Sequence, residues 1–464
     1  MSTIQLAGIA RDVIIRPTSH QAQPAAVRVA LLGCGTVGSC VAKNIVTQQR
    51  WLRQRAGARV TLEHILVRDA ARPRDFTSKS LLSESFDAII ASKPHVIIEV
   101  LGGIEPAATY IRRAIEAGIH VITANKTVIA HYGHELRSLA AQHNVGLYYE
   151  AAVCAAIPLL QTLDALRADR VDSVKGILNG STNYLLSRMH DNGLSQAEAL
   201  AEAKERGLIE PDPSADLSGR DAAEKLCILA HELGESHVSL RDIDVSGIET
   251  ITADDVLAAR RLGYVLKLVA TLQRTREGAQ LRVQPELLRR NHPLARIAGA
   301  DNGVVIRSRL AGETFLSGAG AGPEPTTSAI MNDLLRGIAG DQLQRARTRT
   351  QRTRSAATSS AARATPKLGE EQAFFVCIGR DPASSWRPHD IIEALRENGV
   401  ALKRVDVVPA AARVLTHPAT RCQVARAVRK VAGEAAVLVA PLIEQQREAV
   451  AQVCHHHLRT GSVF

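Results

Sequence analysis

The feature that most constrains this chain is a six-residue turn, Gly33-Cys34-Gly35-Thr36-Val37-Gly38, set between the apolar run Val27 to Leu32 and the helix-compatible run Ser39 to Val46. Glycine at the first position permits a tight turn. At the second it lets a pyrophosphate reach the backbone, and at the third it allows a helix to pack closely on a strand. The phosphates would then lie at a helix N-terminus. A lone G-x-G-x-x-G also reads as a plain tight turn, but the strand before it and the helix after it favour a dinucleotide site. Further apolar runs, Val60 to Val67, Asp87 to Ile90 with Val96 to Leu101, His120 to Ala124 and Val145 to Tyr149, alternate with helix-compatible stretches. That rhythm predicts parallel strands joined by crossover helices.

At the tip of the second strand stand Arg68 and Asp69, followed by Arg72 and Arg74. A guanidinium there favours the 2′-phosphate of NADP, and a carboxylate favours the free 2′-hydroxyl of NAD. Arg68 predicts NADP. NAD is the alternative, with Asp69 on the ribose and the loop arginines as surface charge.

Beyond Glu150 the helices lengthen. The stretch Ser195 to Gly207 opens with a capping box, Ser195 and Glu198, and stops at a glycine. A second helix is expected from Ser218 to Gly234, with the strip Ala222, Leu226, Leu229, Ala230 and Leu233 facing a core. A strand-like run, Val304 to Ser308, and the glycine-rich turn Gly318 to Gly322 precede a helix from Thr326 to Ile338. The fold class read from this is α/β, a Rossmann-type dinucleotide-binding domain plus an α+β substrate and dimerisation domain. Its parts are a flexible extension over 1–25, the dinucleotide domain over 26–150, and the substrate domain over 151–340, whose last helix returns to the first domain. A basic flexible linker is expected over 341–371, a small β-α-β-β-α, ferredoxin-like module over 372–440, and a tail over 441–464.

The chain has 464 residues and a formal charge of +10, yet seven positive residues and no acid lie between Gln342 and Gly369. The remainder is near balance. That segment reads as a solvated linker rather than a nucleic-acid arm, and aromatics at 3% argue against base stacking. No apolar run approaches the ~20 residues needed to span a bilayer. Seven scattered cysteines without a Cys-x-x-Cys pair suit reduced thiols of a cytoplasmic protein. Residues 1–25 show no secretory signal. His455, His456 and His457 read as a solvated tail rather than a metal site, and Cys34 as a small filler rather than a redox sensor.

The segment Glu210 to Lys225 packs five acids and a lysine into one stretch, its first part held extended by Pro211 and Pro213. Asp221 and Lys225, four apart on a helix, are neighbours. One reading is ordinary: Ser218 and Asp221 form a capping box, and Asp221 pairs with Lys225 as a helix salt bridge. The other makes Lys225, at the edge of an apolar stripe beside a carboxylate, a positioned proton donor. Lys126 follows the run His120 to Ala124, at the strand ends where open α/β sheets bind ligands, and could bridge cofactor and substrate.

With these residues the chain resembles the homoserine dehydrogenase family. The resemblance is carried by Gly33 to Gly38, Glu99-Val100-Leu101-Gly102-Gly103-Ile104-Glu105-Pro106, Thr123-Ala124-Asn125-Lys126, Glu150-Ala151-Ala152-Val153, Gly176 to Tyr184, Glu210 to Lys225, and Gly318 to Gly322 before Pro325-Thr326. These occur in family order. The resemblance implies NAD(P)H-dependent reduction of aspartate 4-semialdehyde to homoserine, on the route to threonine and methionine, by a homodimer. It implies Lys225 as proton donor, with Lys126 and Asp221 in support. Glu210 and Asp216, with the Gly180-Ser181 turn, would hold the substrate. Gly33, Gly35, Thr36, Val37, Gly38, Arg68, Gly102 and Lys126 would meet the cofactor. It further implies a monovalent cation, sodium, on the backbone of Glu150, Val153, Ala155 and Ile157. The C-terminal module resembles an ACT domain in degenerate form, since Asp381 to Ser385 lacks the usual ligand-loop glycine. Cys154-Ala155-Ala156 stands where the family more often has glycines, and Ser181 where it has Thr. No aspartate kinase domain is expected, because the dinucleotide fold starts near residue 27. The rivals are a reductase of another small amino-acid aldehyde, and a catalytically weak sensor of dinucleotide or amino acid.

Overall fold

The computed structural model describes residues 26–72, 74, 79–275, 278–339, 371–379, 388–408, 411–420, 423–424, 426–428 and 437–443. Six strands come first: β1 (Ala26–Leu32), β2 (Arg59–Leu66), β3 (Leu82–Ser83), β4 (Val96–Glu99), β5 (His120–Thr123) and β6 (Leu147–Tyr148). All pair in parallel, in the order β3-β2-β1-β4-β5-β6. This is the doubly wound order, in which strand direction of travel reverses between β1 and β4 and opens a crevice at their carboxyl ends. The central strands β1 and β4 are near-continuous apolar runs because helices cover both faces, whereas β2 alternates with Arg59, Thr61 and Glu63. Val29 and Leu31 pack with Val41 and Ile45 of the helix Thr36–Thr47, whereas Ala30 and Leu32 pack with Ile111 of the helix Ala107–Glu116.

One expected strand is a helix. Asp87 to Ile90 lies in the helix Phe86–Ala91, because Ser85 caps it by accepting from the Ala88 N–H and Phe86 and Ile89 bury one face at a spacing of three.

The second body is built on β7 (Val171–Ile177), β8 (Asp244–Val245), β9 (Tyr264–Thr275), β10 (Gly278–Arg289), β11 (Asp301–Ser308) and β12 (Gly312–Ala319). Five of these form an antiparallel array, β12-β11-β7-β9-β10, and the short β8 pairs with β10. The helices Gly180–Asn192, Arg220–Glu232 and Ala253–Arg261 pack on β9. The long β9–β10 hairpin was not among the expected strands. Tyr264 to Leu272 is buried without a break, so the period-two signal of a half-exposed strand is missing. The helix Pro323–Ile338 then returns to the first sheet and packs on Thr36–Thr47.

Farther along lie β13 (Glu371–Gln372), β14 (Phe374–Gly379), a helix Pro388–Glu397, β15 (Leu402–Val408), β16 (Ala411–Thr416), β17 (Ala419–Thr420) and β18 (Val437–Ile443). Four of them run β18-β14-β16-β15, and β18 also pairs in parallel with β10 through Leu287–Leu442 and Leu288–Ile443. The division expected at 440 therefore falls inside a strand, and one sheet passes from the second body into the C-terminal part. The N-terminal extension, the expected basic linker except Glu371, the Asp381 to Ser385 loop and His455 to His457 lie outside the described residues. Among the described residues, no helix is long and apolar enough to cross a membrane.

Candidate active site

The phosphate turn forms as its glycines dictate. A Cβ on Gly33, at φ +103°, would stand 2.9 Å from the Val100 carbonyl oxygen, and one on Gly38 would stand 2.2 Å from that of Gly33. A Cβ on Gly35 would meet nothing within 4 Å beyond its chain neighbours among the described residues. The outer glycines thus serve packing, and the middle one faces the space a pyrophosphate would take. The helix Thr36–Thr47 has no side-chain cap and no acid in its first turn, so its leading N–H groups remain available to an anion. Arg68 is exposed at the tip of β2, while Asp69 Oδ1 accepts from the backbone of Ala71 (2.8 Å) and Arg72 (3.3 Å) and shapes the loop.

Gly102, at φ +77°, lies in the turn after β4. Beneath it Glu99 is fully buried, and its carboxylate accepts from the Leu101 N–H at 2.7 Å and from the Thr123 hydroxyl. Burial pushes this carboxyl up, against the pull of those hydrogen bonds. Asn125 donates to the Gly103 carbonyl at 2.7 Å and caps the helix Lys126–Gln142. The Glu99, Thr123 and Asn125 network thereby joins the tips of β4 and β5, a role the sequence reading did not assign.

A cleft of about 1620 Å³ is lined by Lys126, Gly180, Ser181, Glu210, Asp216, Asp221 and Lys225. The remaining expected cofactor positions, Gly33, Gly35, Thr36, Val37, Gly38, Arg68 and Gly102, are not in its lining; Ile104 and Lys126 are among the residues of the first body that are. The expected helix from Ser218 to Gly234 forms as Arg220–Glu232; a short helix, Ser214–Leu217, precedes it, and Gly219, at φ +83°, separates the two. Gly219 is the N-cap and makes no side-chain bond, so the Ser218–Asp221 capping box does not form. Asp221 turns inward instead.

There its carboxylate meets Lys225 Nζ at 2.8 Å and Lys126 Nζ at 3.2 Å, and accepts from Asn179 Nδ2 at 2.8 Å. Burial alone would raise this carboxyl, but the two ammonium groups outweigh it and hold Asp221 at about 2. Lys225 is raised in turn: desolvation opposes its charge, and Asp221 restores it. Lys225 also donates to the Leu178 carbonyl at 2.7 Å. Two of its three donors are thus engaged, and the third remains for a ligand.

Asn179 lies in one of the family motifs and is not among the site residues that the sequence implies. It caps the helix Gly180–Asn192 through Oδ1, while Nδ2 bridges Asp216 Oδ1 at 2.6 Å and Asp221 Oδ2. Its position after a strand and before Gly180 was the available signal, since Asn favours N-caps. Burial raises Asp216. Ser181 donates to the Leu208 carbonyl at 3.1 Å, and a Cβ on Gly180 would stand 2.4 Å from the Ala300 carbonyl oxygen. Glu210 is exposed on the cleft wall.

Glu150, Val153, Ala155 and Ile157 lie on one irregular stretch after β6, in which Cys154 (φ +55°) and Ala155 (φ +30°) both adopt left-handed backbone. This is uncommon for residues with a Cβ, and it curls the chain. The Val153 and Ala155 carbonyls accept no hydrogen bond among the described residues, whereas those of Glu150 and Ile157 each accept one from the backbone. The Glu150 side chain is directed away, accepting from the Leu160 and Gln161 N–H groups at 2.8 and 2.9 Å. The donor set therefore consists of backbone carbonyls, which fits a hard cation.

The chain matches the family model "Homoserine dehydrogenase, NAD binding domain" over residues 33–150 and "Homoserine dehydrogenase" over residues 158–335. A homoserine dehydrogenase of Bacillus subtilis is 40% identical over 313 residues, covering 67% of this chain and 72% of that relative. The crystal structure of a homoserine dehydrogenase from Thiobacillus denitrificans superposes with a TM-score of 0.78 at 30% identity, covering 90% of this chain and 98% of that one. A hyperthermophilic archaeal homoserine dehydrogenase mutant in complex with NADPH gives a TM-score of 0.58 at 26% identity, covering 68% and 98%. The cleft, the nucleotide turn and these matches agree: the chain belongs to the homoserine dehydrogenase family, NAD(P)-dependent oxidoreductases acting on CH–OH groups.

Proposed function

We propose that this chain reduces L-aspartate 4-semialdehyde to L-homoserine with NADPH, and that Lys225 delivers the proton. The observation that carries the reading is Asp221 held between Lys126 and Lys225 on the wall of the cleft. When bound, the reduced nicotinamide supplies the hydride. The chain's own task is to hold the aldehyde, place a positive charge at its oxygen and give up one proton as the alkoxide forms. Lys225 is suited to this because Asp221 keeps it charged and one N–H is unspent. Lys126 places a second cation on the cofactor side. Glu210 and Asp216 receive the substrate ammonium, and the Gly180-Ser181 turn closes the pocket behind it.

Gly33, Gly35, Thr36, Val37 and Gly38 would hold the pyrophosphate, Gly102 the region beyond it, and Arg68 the 2′-phosphate. Exposed Arg68 beside an Asp69 already engaged with its own loop supports NADP over NAD. The free carbonyls of Val153 and Ala155 support a cation, sodium, on Glu150, Val153, Ala155 and Ile157. The same reading divides the chain into a dinucleotide domain over 26–150, a substrate and dimerisation domain over 151–340, and a C-terminal ACT-like module, for which the strand order β18-β14-β16-β15 is the support. It also takes the protein to be a cytoplasmic homodimer. Exposed Leu310 and Phe315 on the β11–β12 hairpin offer apolar surface for a second copy.

The test follows loss of NADPH absorbance with aspartate semialdehyde, repeated with NADH and with succinic semialdehyde, which lacks the amino group. Turnover at ~1 to 1000 per second that requires the amino group supports the reading. Binding of NADPH without turnover contradicts it and favours a sensor.

A further inference from the structure

The lysines of the cleft stand on two helices that belong to different sheets. Lys126 opens the helix Lys126–Gln142, which crosses from β5 to β6, while Asp221 and Lys225 lie on Arg220–Glu232, which packs on β9. The helices run parallel and are cross-linked along their length. Lys126 meets Asp221 at 3.2 Å, the Thr127 hydroxyl donates to Glu224 Oε2 at 3.1 Å, Cys227 Sγ lies 3.8 Å from the Ala130 carbonyl, and Arg137 Nη1 donates to Glu232 Oε1 at 2.7 Å.

The numbering of these pairs carries the argument. Arg137 lies as many residues beyond Lys126 as Glu232 lies beyond Asp221, about three helical turns in each case, or roughly 16 Å. Both end pairs therefore fall on the same mutual face and fix one register between them. A slip of one residue would move Lys126 by about 1.5 Å along the axis and turn it by about 100° away from Asp221.

The far pair is built for this task more than for stability. The Glu232 side chain is 3% exposed and that of Arg137 14%. Tyr149, just after β6, donates its hydroxyl to Glu232 and accepts from Arg137 Nη1 at 3.1 Å, adding a third element. Yet Arg137 Nε and Nη2 are buried without a hydrogen-bond partner among the described residues. Desolvated donors of this kind cost stability, and a buried ion pair is weak evidence of stabilisation while it can specify geometry.

We propose that Arg137, clamped by Tyr149 and Glu232, is a positioning residue for the reaction: it sets the register in which Lys126 meets Asp221 and, through Asp221, Lys225. The proposal rests on the reading that these three residues serve the reduction. Displacements near 1 Å can cost about a hundredfold in rate, so loss of the clamp is expected to act on kcat more than on cofactor affinity.

The test compares the full chain with its Arg137→Met, Arg137→Lys, Tyr149→Phe, Lys126→Met and Arg137→Met/Lys126→Met variants. Thermal melting checks folding, NADPH fluorescence gives Kd, and kcat is read with NADPH and with NADPH deuterated at the transferred position. Arg137→Met is expected to lower kcat at least about tenfold and raise the deuterium isotope effect, with Kd for NADPH changed less than about threefold. Arg137→Lys should recover part of the loss. Once Lys126 is gone, removing Arg137 should cost little more, because the two act as one unit. A folded Arg137→Met variant with unchanged kcat and isotope effect, or losses that simply multiply in the double variant, overturns the proposal. If Arg137→Met does not fold, Tyr149→Phe decides, since it removes one hydroxyl: a loss in kcat with a raised isotope effect upholds the clamp, and unchanged values overturn it. No turnover by the unaltered chain overturns the assigned reaction and the clamp with it, whereas full turnover indifferent to Arg137 and Tyr149 overturns the clamp alone.

Discussion

Two lysines are buried in the second body, and they are opposites. Lys225 shares its site with a carboxylate, is raised by it, and has two of three donors engaged. Lys267, on β9, has no carboxylate among its hydrogen-bond partners in the described residues and donates to neutral acceptors: Asn183 Oδ1 at 2.7 Å, Ser187 Oγ at 3.1 Å and the Ile297 carbonyl at 2.7 Å. Burial lowers it to about 8, and its donors are all spent. Lys225 is in the lining of the cleft and Lys267 is not. Burial alone therefore does not make a proton donor. The donor needs a carboxylate to keep it charged, a free N–H and access to ligand.

Substitutions can break this contrast. The largest effect is expected from Lys225→Met, about 10² to 10⁴-fold in kcat, while Lys267→Met keeps kcat within the same order of magnitude; steady-state assays of the two side by side check it. Asp221→Asn comes next. Without the carboxylate Lys225 loses its proton more readily, so the alkaline limb of the kcat profile should move down by about one to three pH units. No acid limb from Asp221 is expected above pH 4 in the unaltered chain, since that carboxyl titrates at about 2.

How far these roles could be read from the sequence depended on how local they were. The phosphate turn was legible because strand, three glycines and helix lie within about 20 residues of one another. Asp221 and Lys225 were legible as neighbours one helical turn apart, though the same letters also spelled a capping box. Only Gly219's left-handed break, which turns Asp221 inward, separates the two. Asn179 could not be placed, because its bridge to Asp216 and Asp221 requires the end of β7 to meet the helices Ser214–Leu217 and Arg220–Glu232, some 40 residues on. Lys267 sits in an unbroken apolar strand, where a lysine reads as an interruption and its acceptors come from Asn183 and Ile297, each dozens of residues away. The carbonyl cradle at Val153 and Ala155 leaves no side-chain trace at all.

Smaller effects sharpen the same contrast. Arg68→Ala should raise KM for NADPH about tenfold, equal to 1.4 kcal/mol, and leave that for NADH unchanged, which places its role in the cofactor and not in the proton step. Last comes an effect on stability rather than on rate, at Lys267. Its folded value, about 8, lies below the unfolded value of 10.5, so the unfolded chain binds the extra proton between them. Stability from this group is fully present above pH 10.5 and is lost as pH falls through 8. Lys267→Met should flatten that slope in denaturant melts between pH 7.5 and 10.

The most direct measurement is the pH dependence of kcat for aspartate semialdehyde reduction in the unaltered chain and in its Lys225→Met and Asp221→Asn variants. The account predicts a profile that is flat through neutrality, an alkaline limb that moves down in Asp221→Asn, and a rate in Lys225→Met that is low and has lost that limb. An alkaline limb that persists unchanged in Lys225→Met would contradict it and assign the proton to another group.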